Sequence, residues 1–205
     1  MKKGFTLAEV LVTLAIIGVV AALTMPSLIA NYKKQETIAR LKKFYSSWSQ
    51  AVLMAQADKG EVENWTFPLE KTVEGSAESV EKFFMEYLAP NVKYTRIDKV
   101  QNSINTYFPD GSQVNISMGA CVDIRFDTNG SRQPNVHGRD AYLFTLCPKS
   151  AYNNYCGNKI YFCPFLFGQI YNRADALDKC KNSWYCSGLL MLDNWEFKED
   201  YPFKL

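Results

Sequence analysis

The chain has 205 residues and a formal net charge of +2 at pH 7. This length is enough to bury the core of one ordinary domain. A charge this close to zero argues against a function that depends on broad electrostatic attraction to nucleic acid or anionic lipid. The 12 Tyr, 13 Phe and 4 Trp indicate a globular body and not a disordered chain.

The chain begins with a short basic leader and an apolar segment. Lys2 and Lys3 come first, and from Phe5 to Met25 the only charged residue is Glu9. As an α-helix this segment would be about 30 Å long, which matches the hydrocarbon core of a bilayer. The basic leader would keep the N-terminus in the cytoplasm and place the rest of the chain outside it.

An acidic side chain is unusual in such a segment, because a charge in hydrocarbon is costly unless it has a partner. A cleavable secretory signal, cut after the small residues 20–22, is the first alternative interpretation of the segment. That alternative does not explain Glu9. The segment contains no cation, so we expect the partner of Glu9 to come from elsewhere.

The residues around Glu9 resemble a known processing signal. Residues 3–9 read KGFTLAE and lead directly into the apolar segment. This pattern resembles the class III signal of type IV pilins and type II secretion pseudopilins. The resemblance implies that a prepilin peptidase cuts between Gly4 and Phe5 and N-methylates Phe5. A glycine, which has no side chain, suits a narrow protease cleft.

Cleavage would supply a cation for Glu9. The new α-amine of Phe5 is protonated near neutral pH, and a methylated amine should also carry a charge. In a filament, Glu9 of one subunit would then meet the Phe5 amine of a neighbouring subunit. We therefore predict that Glu9 sets the axial register of assembly.

Two residues of the apolar segment and its outer end favour helix distortion. Pro26 cannot donate a hydrogen bond to the carbonyl of Ala22, which predicts a kink or a loosened turn. Gly18 adds backbone freedom. Both fit the pilin pattern, in which this region can unwind. The alternative is that Pro26 only marks the outer end of a membrane helix.

The helix is predicted to resume after Pro26 and to end at Gly60. Apolar residues at spacings of three and four predict one face that packs on a core. These residues are Ile38, Leu41, Tyr45, Trp48, Val52 and Ala55. The predicted organisation is a leader at 1–4, a membrane and assembly helix at 5–26, an amphipathic continuation at 27–60 and an extracytoplasmic domain at 61–205.

Further elements follow in the globular domain. A second helix is predicted over Ser76–Ala89, ending before Pro90. Ile104–Phe108 and Gln113–Ser117 flank the turn signal PDG and predict a β-hairpin. The fold class is therefore α+β, with the long helix packed on an antiparallel sheet and a disulfide-bonded C-terminal loop region. The resemblance implies the same lollipop shape.

Cys121–Phe126 and Tyr142–Cys147 are predicted to pair as antiparallel strands. With Phe126 opposite Tyr142, one face of the pair is wholly apolar and would cover the long helix. This register also places the two terminal cysteines of these strands opposite each other. A slip of two residues would preserve the faces but separate the cysteines.

All six cysteines lie after residue 120. None forms a CxxC pair and the chain has one histidine, His137, so a Cys/His zinc site is poorly supported. An even count behind an apolar N-terminal segment fits disulfides in an oxidising compartment, with free cysteines in a reducing cytosol as the alternative.

Six cysteines allow 15 pairings, so the sequence alone does not fix the connectivity. The strand register favours one bond, a short loop favours a second, and the remaining two cysteines would form the third. Residues 148–190 read as loop-rich, and Asp193–Phe197 reads as a last short strand. The expected bonds are Cys121–Cys147, Cys180–Cys186 and Cys156–Cys163.

The loop at 127–140 reads DTNGSRQPNVHGRD. Its start resembles a calcium loop, with oxygen ligands on alternate residues and a glycine for the turn, but residue 138 is not the glutamate that an EF-hand requires. A different calcium site could use Asp127, Asn129 and Asp140, and some pseudopilins bind calcium in a C-terminal loop. We favour the alternative, a turn held by Asx hydrogen bonds. His137 would then be a solvated loop residue, and no other cofactor is expected.

An enzyme is not expected, because the chain lacks a nucleophile–His–acid set and a glycine-rich phosphate loop. The leading interpretation is a structural subunit of a type IV pilus or a type II secretion pseudopilus. It would start as a single-pass precursor in the inner membrane and end in a periplasmic pseudopilus or a surface filament. The expected partners are prepilin peptidase, related pilin subunits and the inner-membrane assembly platform.

Two other functions are alternatives to a structural subunit. One is a membrane-anchored recognition or adhesion module, such as a minor pilin at a filament tip, and exposed aromatic residues at 152–171 would favour it. The other is an anchored protein that never polymerises. Nucleic acid is not an expected partner, because the sequence has no basic stripe.

Overall fold

The computed structural model describes residues 4, 6–68, 76–157, 160–182 and 184–204. The chain divides into two units, one of residues up to Glu36 and one of Thr37–Lys204. Helix α1, Leu7–Lys59, contributes to both units. The domain boundaries predicted at residues 4, 26 and 60 stay predictions.

The first unit is the apolar part of α1. By length and composition α1 could cross a membrane, and none of its most apolar window is buried inside the protein. The helix continues through Gly18 and Pro26 without a break in helical structure. The predicted kink at these two residues stays a prediction.

In the second unit, α1 buries one face from Thr37 onward. The predicted stripe is largely correct, although Ile38 and Tyr45 are only partly buried. The helix ends as predicted, because Gly60 has a φ of 84° and its N–H donates to the carbonyl of Gln56 at 2.9 Å. The buried residues of α1 are Thr37, Leu41, Phe44, Trp48, Ala51, Val52 and Ala55.

The sheet has six antiparallel strands in the order β1-β2-β3-β4-β5-β6. The predicted hairpin forms β2 and β3, and the predicted register of β4 and β5 is correct, with Phe126 opposite Tyr142. The sequence did not predict β1 or β6. The strands are β1 Arg96–Val100, β2 Ser103–Tyr107, β3 Gln113–Met118, β4 Val122–Asp127, β5 Ala141–Leu146 and β6 Phe162–Pro164.

The core lies between α1 and one face of this sheet. The ring of Phe44 stacks on Phe126 with centroids 4.2 Å apart, and it also contacts Phe144 at 5.0 Å. Trp48 is 1% exposed. Burying an aromatic side chain of this kind contributes about 1.5–3 kcal/mol to folding. The predicted α+β fold, a long helix on an antiparallel sheet, is confirmed.

The second predicted helix is present but does not stop where expected. Helix α2 is Ser76–Phe83, and it continues as a π-helical turn over Phe84–Leu88 and a 3-10 turn over Ala89–Asn91. Pro90 therefore lies inside the last turn. A proline near the start of a helical turn is tolerated, because its missing N–H would have no partner there.

The C-terminal region is more ordered than the sequence indicated. It contains α3 Tyr152–Tyr155, α4 Arg173–Cys180 and α5 Cys186–Leu192. Helix α5 covers the second face of β5, where the Ser187 hydroxyl donates to the carbonyl of Leu143. Both faces of β5 are thus buried.

The predicted last strand at Asp193–Phe197 is wrong. Asn194 and Trp195 have φ values of 54° and 61°, which turn the backbone away from an extended conformation. Arg173 holds this segment, since its guanidinium contacts Asp193 at 2.6 Å and Asp200 at 2.7 Å.

Three disulfides join the pairs expected from the sequence. Cys121–Cys147 spans 26 residues, Cys156–Cys163 spans 7 and Cys180–Cys186 spans 6. All six cysteines are buried.

Loss of the longest disulfide loop should destabilise the globular domain most. Replacing both Cys121 and Cys147 by Ala should lower the free energy of unfolding by about 3–4 kcal/mol, against about 2–2.5 kcal/mol for Cys156 and Cys163, because the entropy lost by the unfolded chain grows with loop length. Urea unfolding of the full chain in detergent micelles, followed by near-UV circular dichroism, measures both values. The reverse order would contradict the prediction.

Candidate functional site

The N-terminus of α1 is closed by two side chains of the predicted processing segment. Glu9 Oε2 accepts hydrogen bonds from the backbone N–H and the hydroxyl of Thr6, both at 2.8 Å. In return, the backbone N–H of Glu9 donates to the Thr6 hydroxyl at 3.3 Å. This reciprocal arrangement is a capping box, which satisfies N–H groups that the first helical turn leaves without partners.

The cap gives Glu9 a partner that the sequence analysis missed. The apolar segment contains no cation that could pair with Glu9. Thr6 is neutral, and it supplies hydrogen bonds without neutralising the carboxylate. The signal was present in the sequence, because residues 6–9 read TLAE, the Thr-x-x-Glu pattern of a capping box.

Gly4 is exposed just before this cap, and Phe5 lies outside the described residues. A Cβ atom built on Gly4 would meet no other atom within 4 Å. The same is true of Gly18. Packing within the described chain therefore does not require glycine at either position.

Loss of the cap should loosen the first turn of α1. In the Thr6→Val variant, the amides of Leu7–Val10 should exchange with solvent about fivefold faster, because the hydroxyl that accepts from Glu9 is lost. Hydrogen exchange of the full chain in detergent micelles, measured by NMR, reports this rate. Thr6→Ser should exchange like the native chain.

Thr13→Val is the matched control. The Thr13 hydroxyl donates only to the carbonyl of Val10, inside the helix. A similar acceleration of Leu7–Val10 exchange in this variant would show that the Thr6 cap is not the cause.

The second candidate site is the loop between β4 and β5. The structure brings Asp127, Asn129 and Asp140 together: the amide nitrogen of Asn129 donates to Asp140 at 3.1 Å, and its backbone N–H donates to Asp127 at 3.2 Å. Asp140 also accepts the backbone N–H of Asn135 at 2.9 Å and of Val136 at 2.7 Å. Asx hydrogen bonds thus organise this loop.

A calcium ion at these residues would compete with that network. Asn129 turns its amide nitrogen, not its oxygen, toward Asp140. Within the described ranges, no group of three or more His, Cys, Asp or Glu side chains could hold a metal ion. Calcium binding here stays a prediction.

Gly138 closes the far end of the same loop under the C-terminal segment. Its φ is 82°, and an added Cβ would lie 2.7 Å from the ring of Phe203. The Tyr201 hydroxyl donates to the Gly138 carbonyl at 2.6 Å. The position that carries glutamate in an EF-hand therefore has room only for glycine.

The loop also contains two groups whose pKa values are shifted in opposite directions. Burial, reinforced by the nearby Asp140, raises the pKa of Asp127 from 3.8 to about 6, although Arg125 opposes this rise. Burial and Arg125 lower the pKa of His137 to about 4. His137 stacks on the Trp184 ring with centroids 4.3 Å apart. The prediction of a solvated His137 is therefore wrong.

These two groups should affect stability in opposite directions between pH 4 and 6. Folded Asp127 keeps its proton to about pH 6, so its contribution to stability falls as the pH rises above 3.8. Folded His137 stays neutral down to about pH 4, below its ordinary pKa of 6.5, so its contribution rises with pH over the same interval.

In each single variant, the pH dependence of stability should reflect the titratable group that remains. Between pH 4 and 6, the stability of Asp127→Asn should rise more steeply with pH than that of the native chain. The stability of His137→Gln should rise less steeply than that of the native chain. Urea midpoints measured at intervals of pH test this. Parallel curves for the native chain and both variants would disprove the assignment.

The aromatic residues at 152–171 are mostly buried or partly buried, so they do not form the exposed cluster that an adhesive surface would need. Tyr152 and Phe162 are 6% and 5% exposed. Tyr171 is 87% exposed, and Lys179 lies 5.3 Å from the centre of its ring. This burial favours a core role for the region.

Comparison with known proteins gives a match for each part of the chain. Residues 27–205 match the family of unknown function DUF6613. The chain belongs to this family. In this DUF6613 protein, residues 1–25 also match the prokaryotic N-terminal methylation motif. That match covers Gly4, Phe5 and Glu9, the residues on which the resemblance to pilins rests.

The DUF6613 protein is also similar to the type IV major pilin protein PilE of Neisseria gonorrhoeae. The two are 29% identical over 120 residues, which cover 56% of this chain and 60% of the relative. The chain thus spans less than two thirds of that protein's length. No solved structure matches the chain. The methylation motif and this similarity support a protein of the type IV pilin family and confirm the predicted resemblance.

Proposed function

We propose that this protein is a structural subunit of a type IV pilus or a type II secretion pseudopilus. Prepilin peptidase would cut between Gly4 and Phe5 and methylate the new terminus. The observation that carries the proposal is Glu9, the only charged residue of α1 between Leu7 and Met25, which lies within an N-terminal methylation motif.

The exposed surface of the first unit supports assembly through the helix. Leu7, Leu23 and Leu28 are 77%, 76% and 70% exposed, and the residues between them are almost all exposed. A continuous apolar surface of this kind needs lipid around it in the precursor or neighbouring helices in a filament. The same residues would thus serve as a membrane anchor first and as the filament core later.

The surroundings of Gly4 support recognition by another molecule. Nothing in the described chain approaches the place where its side chain would be. Its backbone lies exposed before a capped helix that begins at Leu7. An exposed glycine next to an ordered helix is accessible to a protease that reads a short extended segment.

The proposal places the precursor in the inner membrane, with the globular domain on the extracytoplasmic side. Disulfides fit this placement, because oxidising compartments form and keep them. The proposed partners are prepilin peptidase, like or related pilin subunits and the inner-membrane assembly platform. The proposed role is mechanical and not enzymatic.

The charge of Glu9 can be tested separately from its cap. Glu9→Gln keeps an oxygen that can accept both Thr6 hydrogen bonds, since glutamine also completes a capping box. It removes the charge that would attract a protonated amine. We expect filaments to be lost in Glu9→Gln as in Glu9→Ala, with normal membrane insertion of both variants. Electron microscopy and immunoblots of sheared filaments from the native host measure the loss.

The same cells provide the control for processing. Mass spectrometry of the native chain should show an N-terminus at methylated Phe5. Filaments at the native level in Glu9→Gln would reduce Glu9 to a capping residue. A mature N-terminus near Leu23 would show a secretory signal and overturn the proposal.

A further inference from the structure

A groove lies in the globular domain between α1 and the turn that joins β2 to β3. Its volume is about 570 Å³, and aromatic side chains of Phe44, Phe108 and Phe126 line it. Residues 91–93 also line it. A concave apolar surface with polar groups at its edge is typical of a binding site.

Three side chains that line the groove are basic and make it a basic groove. Arg40 and Lys43 belong to α1, and Lys93 lies shortly before β1. Among the described residues that line the groove, only Asp110 is acidic, and it contacts Lys43 at 2.9 Å. Although burial acts against it, hydrogen bonds from Ser112 and Lys43 lower the pKa of Asp110 to about 2. The groove thus has three cationic side chains and one anionic side chain at neutral pH.

The C-terminal end of α1 has the complementary character. Leu53 and Met54 are 64% and 54% exposed. Asp58 is exposed one turn after Met54 on the same face of the helix. Glu61 follows the end of α1, where it accepts a hydrogen bond from Gln56 at 3.0 Å. The exposed Lys59 lies between these two acids, so the three side chains carry one net negative charge. Together with the exposed apolar side chains they form an acidic helix end.

The basic groove and the acidic helix end of one chain cannot meet each other. Lys43 and Asp58 belong to the same helix, and their separation in sequence corresponds to about 22 Å along its axis. Each surface is therefore available to a second copy. Opposite charges beside apolar groups on both surfaces favour such a contact.

We propose that the basic groove of one subunit receives the acidic helix end of a second copy of this chain. Because the two surfaces differ, the contact is head-to-tail and can repeat without closing, as in a filament. This inference rests on the proposed function and adds a contact between globular domains to the one between N-terminal helices. Lys43 and Lys93 of one subunit would face Asp58 and Glu61 of the other. Leu53 or Met54 would contact the aromatic side chains that line the groove.

Charge reversal on each surface tests the contact. The groove variant is Lys43→Glu with Lys93→Glu, and the helix-end variant is Asp58→Lys with Glu61→Lys. Each should lower the amount of sheared filament about tenfold, because like charges then oppose each other. The chain with all four substitutions should recover filaments, since the charges are again opposite. Immunoblots of sheared and cell-bound protein give the ratio.

A matched control makes the same change in net charge at two other positions. Lys181 and Lys204 are exposed and lie outside both surfaces, so Lys181→Glu with Lys204→Glu should assemble like the native chain. Lys93→Glu alone leaves the contact between Lys43 and Asp110 intact. Lys93 has no hydrogen-bond or ion-pair partner in the described part of the chain, so this variant should fold normally and still lower filament yield. The melting temperature of the full chain checks folding.

The outcomes separate this inference from the proposed function. Recovery of filaments in the fourfold variant supports the contact. Loss of filaments in the groove variant without recovery in the fourfold variant would overturn the inference and would show that the groove binds another acidic partner. Native yields in both charge-reversed variants would also overturn the inference. Absence of filaments from the native chain, with no mature terminus at Phe5, would instead overturn the proposed function itself.

Discussion

The structure depends on the way α1 buries its surface along its length. From Thr37 onward one face of the helix is covered by the sheet, and Leu41, Phe44 and Trp48 provide its main contacts with the core. From Leu7 to Ile29 the side chains are mostly apolar and almost all exposed. Hydrophobic burial can stabilise the first part only through lipid or other chains.

The elements predicted correctly from sequence are those set by local chemistry. Helical spacing, the turn at 109–111 and the apolar faces of β4 and β5 each follow from neighbouring residues. The register of β4 and β5 could be found because one pairing collects apolar side chains and also aligns Cys121 with Cys147. Two independent requirements gave the same answer.

The errors fall where distant contacts decide the structure. Strand β1 has a mixed and largely exposed pattern, so its own residues do not indicate a strand. The segment after α5 is bent at Trp195, whose ring lies 5.3 Å from that of Tyr45 on α1. His137 is half-buried because Trp184, distant in sequence, stacks on it. No local pattern contains these neighbours. At the candidate site the Thr-x-x-Glu pattern of the cap is local, but the charge of Glu9 alone does not indicate it.

The Thr6 cap is compatible with the proposed contact between Glu9 and the Phe5 amine of a neighbouring subunit. Both hydrogen bonds from Thr6 go to Oε2 of Glu9, and within the described residues Oε1 accepts none. One oxygen can therefore hold the carboxylate at the helix start while the other meets an amine. Held in this way, the side chain has less rotational freedom to lose on binding. The carboxylate also lies at the N-terminal end of the helix, where the helix dipole attracts negative charge. Thr6 would thus prepare Glu9 for a neighbouring chain instead of competing with it.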